Sequence, residues 1–197
     1  MTYKTLIFSI EDGVARITIN RPAQMNAIDV LTAKELLLAA RQCSTDSTVR
    51  CVVLTGAGDR AFCAGGDVAG FASDPERVDS LIEEMAVHLH EAISVFARMR
   101  APVVARVNGT VAGAGLGLMA AADLAVASQT AKFTSAYTKI GLTPDGSTTW
   151  FMHAPPDRSP PDEGAVPFEP RVVRGRGDGL GIGQSGGCAR GTGRDGR

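Results

Sequence analysis

Apolar and polar positions along the chain follow two different periods, and the way these alternate lays out the fold. Thr5–Ile10 and Val14–Asn20 alternate apolar and polar residues around Glu11-Asp12-Gly13, the pattern of a β-hairpin. Arg21-Pro22 ends the second strand, because proline cannot extend a central ladder. The period then lengthens over Val30–Cys43, where Leu31, Leu36, Leu37 and Ala40 form a helical stripe and Asp29 is placed to cap it. Cys51–Leu54 is short and apolar, as a buried strand is. A turn cluster, Thr55–Asp59, separates it from the loop Ala61–Val68. Gly70–Glu76 reads as a loop and Glu76–Met99 as a helix, with Val78, Leu81, Met85, Leu89, Ile93 and Phe96 spaced by three and four. Pro102 stops that helix, and Val103–Val107 is a second buried strand. Asn108-Gly109 turns the chain into Gly113–Ala122, a helix of small residues that must lie close against its neighbours. Leu124–Ala127 is a further strand, and Phe133–Gly141 with the turn Thr143-Pro144-Asp145-Gly146 follows. Strands alternating with helices predict an α/β fold with a largely parallel sheet.

Composition divides the 197 residues unevenly. Residues 1–150 have the make-up of one domain able to bury a real core. Residues 151–197 hold 11 Gly, 6 Pro and 7 Arg in 47 positions, with no Lys and no apolar period. That is the composition of a disordered or poorly foldable tail. The net charge of −1 leaves no basic footprint for nucleic acid. No apolar run reaches the roughly 18 residues of a membrane span. Met1–Lys4 leads into no signal-peptide core, so a cytoplasmic location is expected. Cys43, Cys51, Cys63 and Cys188 have no metal-ligand spacing and read as reduced thiols. His88 and His90 lie two apart on a predicted helix, point to different faces, and read as surface or satisfied residues rather than ligands.

Two glycine-rich turns each follow a buried strand: Ala64-Gly65-Gly66-Asp67, and Gly113-Ala114-Gly115-Leu116-Gly117. Adjacent glycines in such a place mark a close approach of the backbone to something. Helix starts also present unpaired N–H groups. Two such turns facing each other make a backbone oxyanion hole, with side chains kept small so as not to obstruct the ligand. The competing reading is close packing with no ligand. A dinucleotide fingerprint at Gly113-Ala114-Gly115 fits poorly, since its third glycine would fall at Leu118.

Taken together, Asn20-Arg21-Pro22 with Asn26-Ala27, Ala61-Phe62-Cys63-Ala64-Gly65-Gly66-Asp67, Val107-Asn108-Gly109 through Gly113-Ala114-Gly115, Ala122-Asp123 and Pro144-Asp145-Gly146 resemble the crotonase superfamily, the enoyl-CoA hydratase/isomerase family. The motifs run in order through nearly all of residues 5–150. The resemblance implies a spiral of ββα units assembled as a homotrimer or hexamer. It implies an acyl-coenzyme A thioester as ligand, with coenzyme A part of the substrate and no separate cofactor. By position, the oxyanion donors are the N–H groups of Gly66 and Ala114. Arg21, Ala23, Ala27, Ala64, Gly65, Asp67 and Val68 would line the coenzyme A site, although Asp67 also reads as a cap for the helix after it.

Family hydratases place two glutamates on the acyl pocket, at positions that fall here at Gly117 and Tyr137. Neither is a carboxylate. Family isomerases, including those acting on ring-epoxidised phenylacetyl-CoA, carry an acid at the place of Asp145; the competing reading is a plain Pro-Asp-Gly turn residue. The resemblance thus points to an isomerase moving a double bond from 3-enoyl to 2-enoyl-CoA, or to a related ring-epoxide isomerisation. A hydratase, or an inactive thioester-binding subunit, are the alternatives. As base, Asp145 would need to be partly desolvated so that its pKa rises toward neutrality.

The resemblance stops after Trp150-Phe151. Codons permitted for Phe168–Gly181, read one nucleotide later, can spell Ser-Asn-Arg-Val-Leu-Ser-Ala-Asp-Glu-Ala-Met-Gly-Trp, a segment of the type the family carries. A frameshift shortly after Phe151 is therefore expected, with loss of the helices that cover the acyl pocket.

Overall fold

The computed structural model describes residues 2–152 and 172–174. The predicted hairpin is present as β1 (Leu6–Glu11) and β2 (Val14–Ile19), antiparallel and in register from Leu6 opposite Ile19 to Glu11 opposite Val14. Asp12 and Gly13 take up left-handed backbone at the turn, with φ of 51° and 77°. Three strands then join parallel to β2 in the order β3 (Cys51–Gly56), β5 (Val103–Val107) and β7 (Leu124–Ala127). One row across this sheet, Ile17, Leu54, Ala105 and Ala125, is almost wholly buried. The small residues on β5 and β7 let the layer above come close.

A second sheet was not expected from the sequence. It consists of β4 (Ala61–Cys63), β6 (Thr110–Ala112) and β8 (Phe133–Thr134), all parallel. Strands of two or three residues are too short to show alternation, so these stretches read as loops. Their presence makes the repeat explicit. Each turn of the spiral gives one strand to the large sheet, one to the small sheet, and then helix. The ββα units are β3-β4 with α2 (Val68–Ala72) and α3 (Val78–Arg98), β5-β6 with α4 (Ala114–Ala120), and β7-β8 with α5 (Thr148–Phe151). Helix α2 occupies part of the stretch read as a loop, because Asp67 caps it.

Helix α1 (Val30–Thr45) begins where Asp29 Oδ1 accepts from Thr32 N at 2.7 Å. It packs parallel to α3. Lys34 pairs with Glu84 and Arg41 with Glu91, each partner seven residues further along its helix. Beneath these pairs, Leu36 and Ala40 meet the Met85, Leu89, Ile93 and Phe96 stripe in one core. Glu35 ties α1 to the first strand by accepting from Lys4 N, Thr5 N and Thr5 Oγ1 at 2.6–2.8 Å.

Of residues 151–197, the described part beyond Met152 is β9 (Val172–Arg174), which pairs parallel to β7 with Val172 opposite Ala125. The expected frameshift and disordered tail otherwise lie outside the described residues.

Two asparagines hold the crossing between the sheets. Asn26, fully buried with φ at 56°, donates to Ala57 O and Ala61 O at 3.0 and 2.7 Å and accepts from Arg21 N at 3.1 Å. Asn108 donates to Gly58 O and Ala61 O at 2.7 and 3.1 Å. Replacing Asn26 by Ala strands buried backbone groups and puts Cβ-bearing backbone in the left-handed region without the polar side chain that suits it. Asn26→Ala is expected to cost about 2–4 kcal/mol, read from urea unfolding midpoints at unchanged m-value.

Candidate active site

The two glycine-rich turns expected to face each other do so, and the reason is the small sheet. β4 and β6 are adjacent and parallel, with Ala61 opposite Thr110 and Cys63 opposite Val111. Their C-terminal ends therefore release Ala64–Asp67 and Gly113–Ala114 side by side. A Cβ at Gly65, where φ is 96°, would lie 3.0 Å from Ala112 O and 3.3 Å from Ala114 N. A Cβ at Gly115 would meet Cys63 O at 2.5 Å. Only glycine permits either approach.

A second pairing sets the direction of the Gly66 N–H. Ile28 bridges Gly66 in parallel fashion: Ile28 N donates to Gly65 O at 2.7 Å and Asp67 N donates to Ile28 O at 2.9 Å. In a parallel bridge the flanking residues make the bonds, so the central residue's own N–H points away from the partner. Ala114 is the first residue of α4, where the N–H has no partner within the helix. Neither the Gly66 nor the Ala114 N–H has a hydrogen-bond acceptor among the described residues.

The residues expected to line a coenzyme A site are also neighbours. Pro22–Gln24 forms a 3-10 turn, with Ala23 exposed, and Ala64 N donates to Met25 O at 3.1 Å. Val68 stands exposed at the start of α2. Arg21 is engaged within the protein. Its guanidinium donates to Ala27 O at 2.6 Å and to Asp67 Oδ2 at 2.8 Å, and lies 3.2 Å from Asp29 Oδ2. Asp67 in turn accepts from Gly70 N at 3.0 Å, which is the capping contact. Burial pushes the Asp67 carboxyl up, but Arg21 and the Gly70 N–H outweigh it and hold it below the ordinary carboxylate value. Asp67 is thus a fixed anion that locks the glycine loop to the Arg21 segment. Cys63, beneath the loop, is fully buried, and burial pushes its thiol up to about 12.

Asp145 lies in a turn that packs against α4. The turn that carries it packs on Gly117, whose Cβ would lie 2.8 Å from Thr148 Oγ1 and 2.9 Å from Gly146 O. Gly117 is three residues after Ala114, roughly 4.5 Å along the helix axis. Asp145 is half-buried, with both carboxylate oxygens engaged. Tyr137 OH donates to Oδ1 at 2.5 Å, and His90 Nε2 lies 3.2 Å from Oδ2. The expectation of a carboxyl raised toward neutrality is not met. Burial does push Asp145 up, but the hydrogen bonds of His90 and Tyr137 outweigh it and leave it below its ordinary value. Burial and the adjacent carboxylate push the Tyr137 phenol up, so it stays a donor.

Two members of this group were not picked out as site residues in the sequence. His90, read as a surface or satisfied residue, is a partner of Asp145 across 55 positions of chain. Tyr137 stands out in the sequence only as the place where a family glutamate is missing. No local pattern links either to Asp145; the turn at Gly146 brings them together.

The enoyl-CoA hydratase/isomerase family model matches residues 9–155. A probable enoyl-CoA hydratase of Rhodobacter capsulatus is 40% identical over 152 residues, covering 77% of this chain and 57% of that protein. The 1,2-epoxyphenylacetyl-CoA isomerase of Escherichia coli is 35% identical over 148 residues, covering 75% and 56%. Among solved structures, an enoyl-CoA hydratase from Mycobacterium avium subsp. paratuberculosis superposes with a TM-score of 0.66 at 33% identity, covering 75% of this chain and 54% of that one. The chain thus spans little more than half the length of the relatives it matches. With the spiral of ββα units and the paired glycine turns in place, the chain belongs to the enoyl-CoA hydratase/isomerase family.

Proposed function

We propose that the site catalyses double-bond migration in an acyl-CoA thioester, from the 3-enoyl to the 2-enoyl form or in a related ring-epoxide substrate, rather than addition of water. The observation that carries this reading is the contact between Gly117 and the Asp145 turn. A side chain at residue 117 would collide with Gly146 O and Thr148 Oγ1. The space where a hydratase of the family would carry one of its glutamates is filled by the turn that brings in a different carboxylate. The other glutamate position is Tyr137, whose phenol is spent on Asp145. One carboxylate remains, which suits moving a single proton between two carbons better than activating and splitting water.

The thioester carbonyl oxygen would accept from the Gly66 and Ala114 N–H groups. The segments Arg21–Ala27 and Ala64–Val68 would support the coenzyme A part, Arg21 acting through the loop it locks rather than as a free cation. Asp145 would take a proton from C2. The C–H electron pair moves into the C1–C2 bond, and negative charge collects on the oxygen held by the two donors. In the resulting dienolate the same proton returns at C4, leaving the double bond between C2 and C3. The donors act on charge that develops only in the transition state, which is where binding accelerates a reaction. The family's assembly as a homotrimer or hexamer, and a cytoplasmic setting, are carried with this proposal.

Two substitutions test the chemistry by following the absorbance of the conjugated 2-enoyl thioester. Asp145→Asn is expected to lower turnover by about 10²–10⁴, the worth of a positioned base. Unchanged turnover in that variant would remove Asp145 from the mechanism. Ala114→Pro deletes one donor at a helix position that tolerates proline, and its expected cost is at least about 10²–10³ in kcat. Incorporation of solvent oxygen into product instead of bond migration would establish the hydratase reading, and thioester binding without turnover the inactive-subunit reading.

Gly117→Ala separates packing from chemistry. Its methyl group forces the Gly146 turn to move, with an expected loss of about 1–3 kcal/mol in unfolding free energy. Turnover should fall further than thioester binding, because the displaced group is the base and not the oxyanion loop.

A further inference from the structure

His90 Nε2 has two partners and one site with which to meet them. It lies 3.2 Å from Asp145 Oδ2 and 3.2 Å from Gly146 N. An imidazole nitrogen in the ring plane either carries a hydrogen or presents a lone pair. With a hydrogen it donates to Asp145 and leaves the Gly146 N–H without that acceptor. With a lone pair it accepts from Gly146 N and has nothing to give to Asp145. The two contacts therefore belong to two states of that nitrogen, with and without a hydrogen.

We propose that His90 is a positioning residue that switches Asp145 between an idle and a competent state. Protonated His90 donates to Oδ2 and holds the carboxylate as an ion pair. Neutral His90, with its hydrogen on Nδ1, accepts from the Gly146 N–H, pins the turn, and releases Oδ2 toward the ligand. The released oxygen takes the proton more readily, because a bare Nε2 at that distance disfavours negative charge and welcomes a hydroxyl. When Asp145 has accepted a proton at Oδ2, that O–H can take over the Nε2 lone pair from the Gly146 N–H. The acid form is then held, without leaving the site, until the proton is returned to carbon. No covalent step beyond the proton transfer of the proposed reaction is needed.

The surroundings leave these two states to a small set of groups. The carboxylate of Asp145 faces His90 from the turn, and the Tyr137 phenol reaches it only through Asp145. On α3 itself, residues three and four away are Ala86, Val87, Ile93 and Ser94, none of them ionisable. The adjacent Glu91 is paired with Arg41. The Asp145 hydrogen bond and charge raise the His90 pKa above its ordinary 6.5, against burial, which lowers it. The sign follows. The idle ion pair stabilises the fold fully below pH 6.5 and is lost as pH rises through the raised pKa, and the competent state gains over the same interval.

This inference rests on the isomerase reading for its catalytic meaning, but its physical core is testable without turnover. The His90 ring is titrated by nitrogen NMR in the full 197-residue chain, with His90→Gln to assign the signal. The midpoint should lie above 6.5 and fall below it in Asp145→Asn, where an amide replaces the charge. The neutral ring should show a hydrogen on Nδ1 and none on Nε2. A midpoint unmoved by Asp145→Asn, or a neutral ring protonated on Nε2, would overturn the proposal. In 3-enoyl-CoA turnover, the acid limb of kcat/KM should follow the same midpoint and vanish from that range in His90→Gln, which keeps an amide near the Nε2 place but does not titrate. A limb that persists unchanged in His90→Gln, while Asp145→Asn is inactive, would sink the role of His90 and leave the base assignment standing. Full activity in Asp145→Asn beside an intact His90 shift would sink the base assignment and the catalytic meaning of the switch, not the coupling.

Discussion

The site depends on how closely two strand ends approach each other. β4 and β6 lie side by side in a sheet only three strands wide, and the turns that follow them touch through glycine. Gly65 against Ala112 and Ala114, and Gly115 against Cys63, are approaches that any Cβ would force apart. The bridge from Ile28 to Gly66 adds a third chain and fixes which way the Gly66 N–H points. From these contacts follow the neighbouring helix starts and two N–H groups left without acceptors among the described residues. The large sheet and the α1–α3 pair serve this arrangement by holding each spiral turn over the one before it.

The same economy of space decides which carboxylate stands at the site. Gly117 is on the face of α4 that meets Gly146 and Thr148, so the Asp145 turn and a side chain at residue 117 exclude each other. Gly146, with φ at 56°, comes close enough to Ile93 and His90 that the turn is wedged between α3 and α4. The position of Asp145 is thus set from two helices, while Arg21, Asp29 and Asp67 form a separate ionic lock on the far loop. Charges that resemble one another in sequence have different work: Asp67 is consumed by a guanidinium and a helix cap, and Asp145 faces an imidazole and a phenol.

Much of this was legible in the sequence because the determining features are local. Adjacent glycines after an apolar strand announce close approach, and Asp29 and Asp67 sit one residue before the helices they cap. The hairpin alternation and the α3 stripe need only the spacing of apolar residues. The small sheet was illegible because its strands have two or three residues and their register comes from strands distant in the chain, Ala61 opposite Thr110 and Val111 opposite Phe133. His90 was illegible for the same reason: a histidine two residues from another on a helix has no sequence mark of a partner in a distant turn. The lowered pKa of Asp145 needed both of its partners in place before burial could be weighed against hydrogen bonding.

A carboxylate held below its ordinary pKa is a poor base for a carbon acid, and this puts a constraint on any proton-transfer reading of the site. In the proposed reaction the two N–H donors would lower the demand by making the α-proton more acidic. They leave the carboxylate's own affinity for the proton unchanged. That affinity must come from whatever weakens the contacts that stabilise the charged form. Tyr137 remains a donor throughout, since its phenol is pushed up in pKa. In the proposed switch His90 is the partner whose contact would change, from donor to lone pair. With one carboxylate at the site among the described residues, the proposed adjustable element stands beside that carboxylate, on α3.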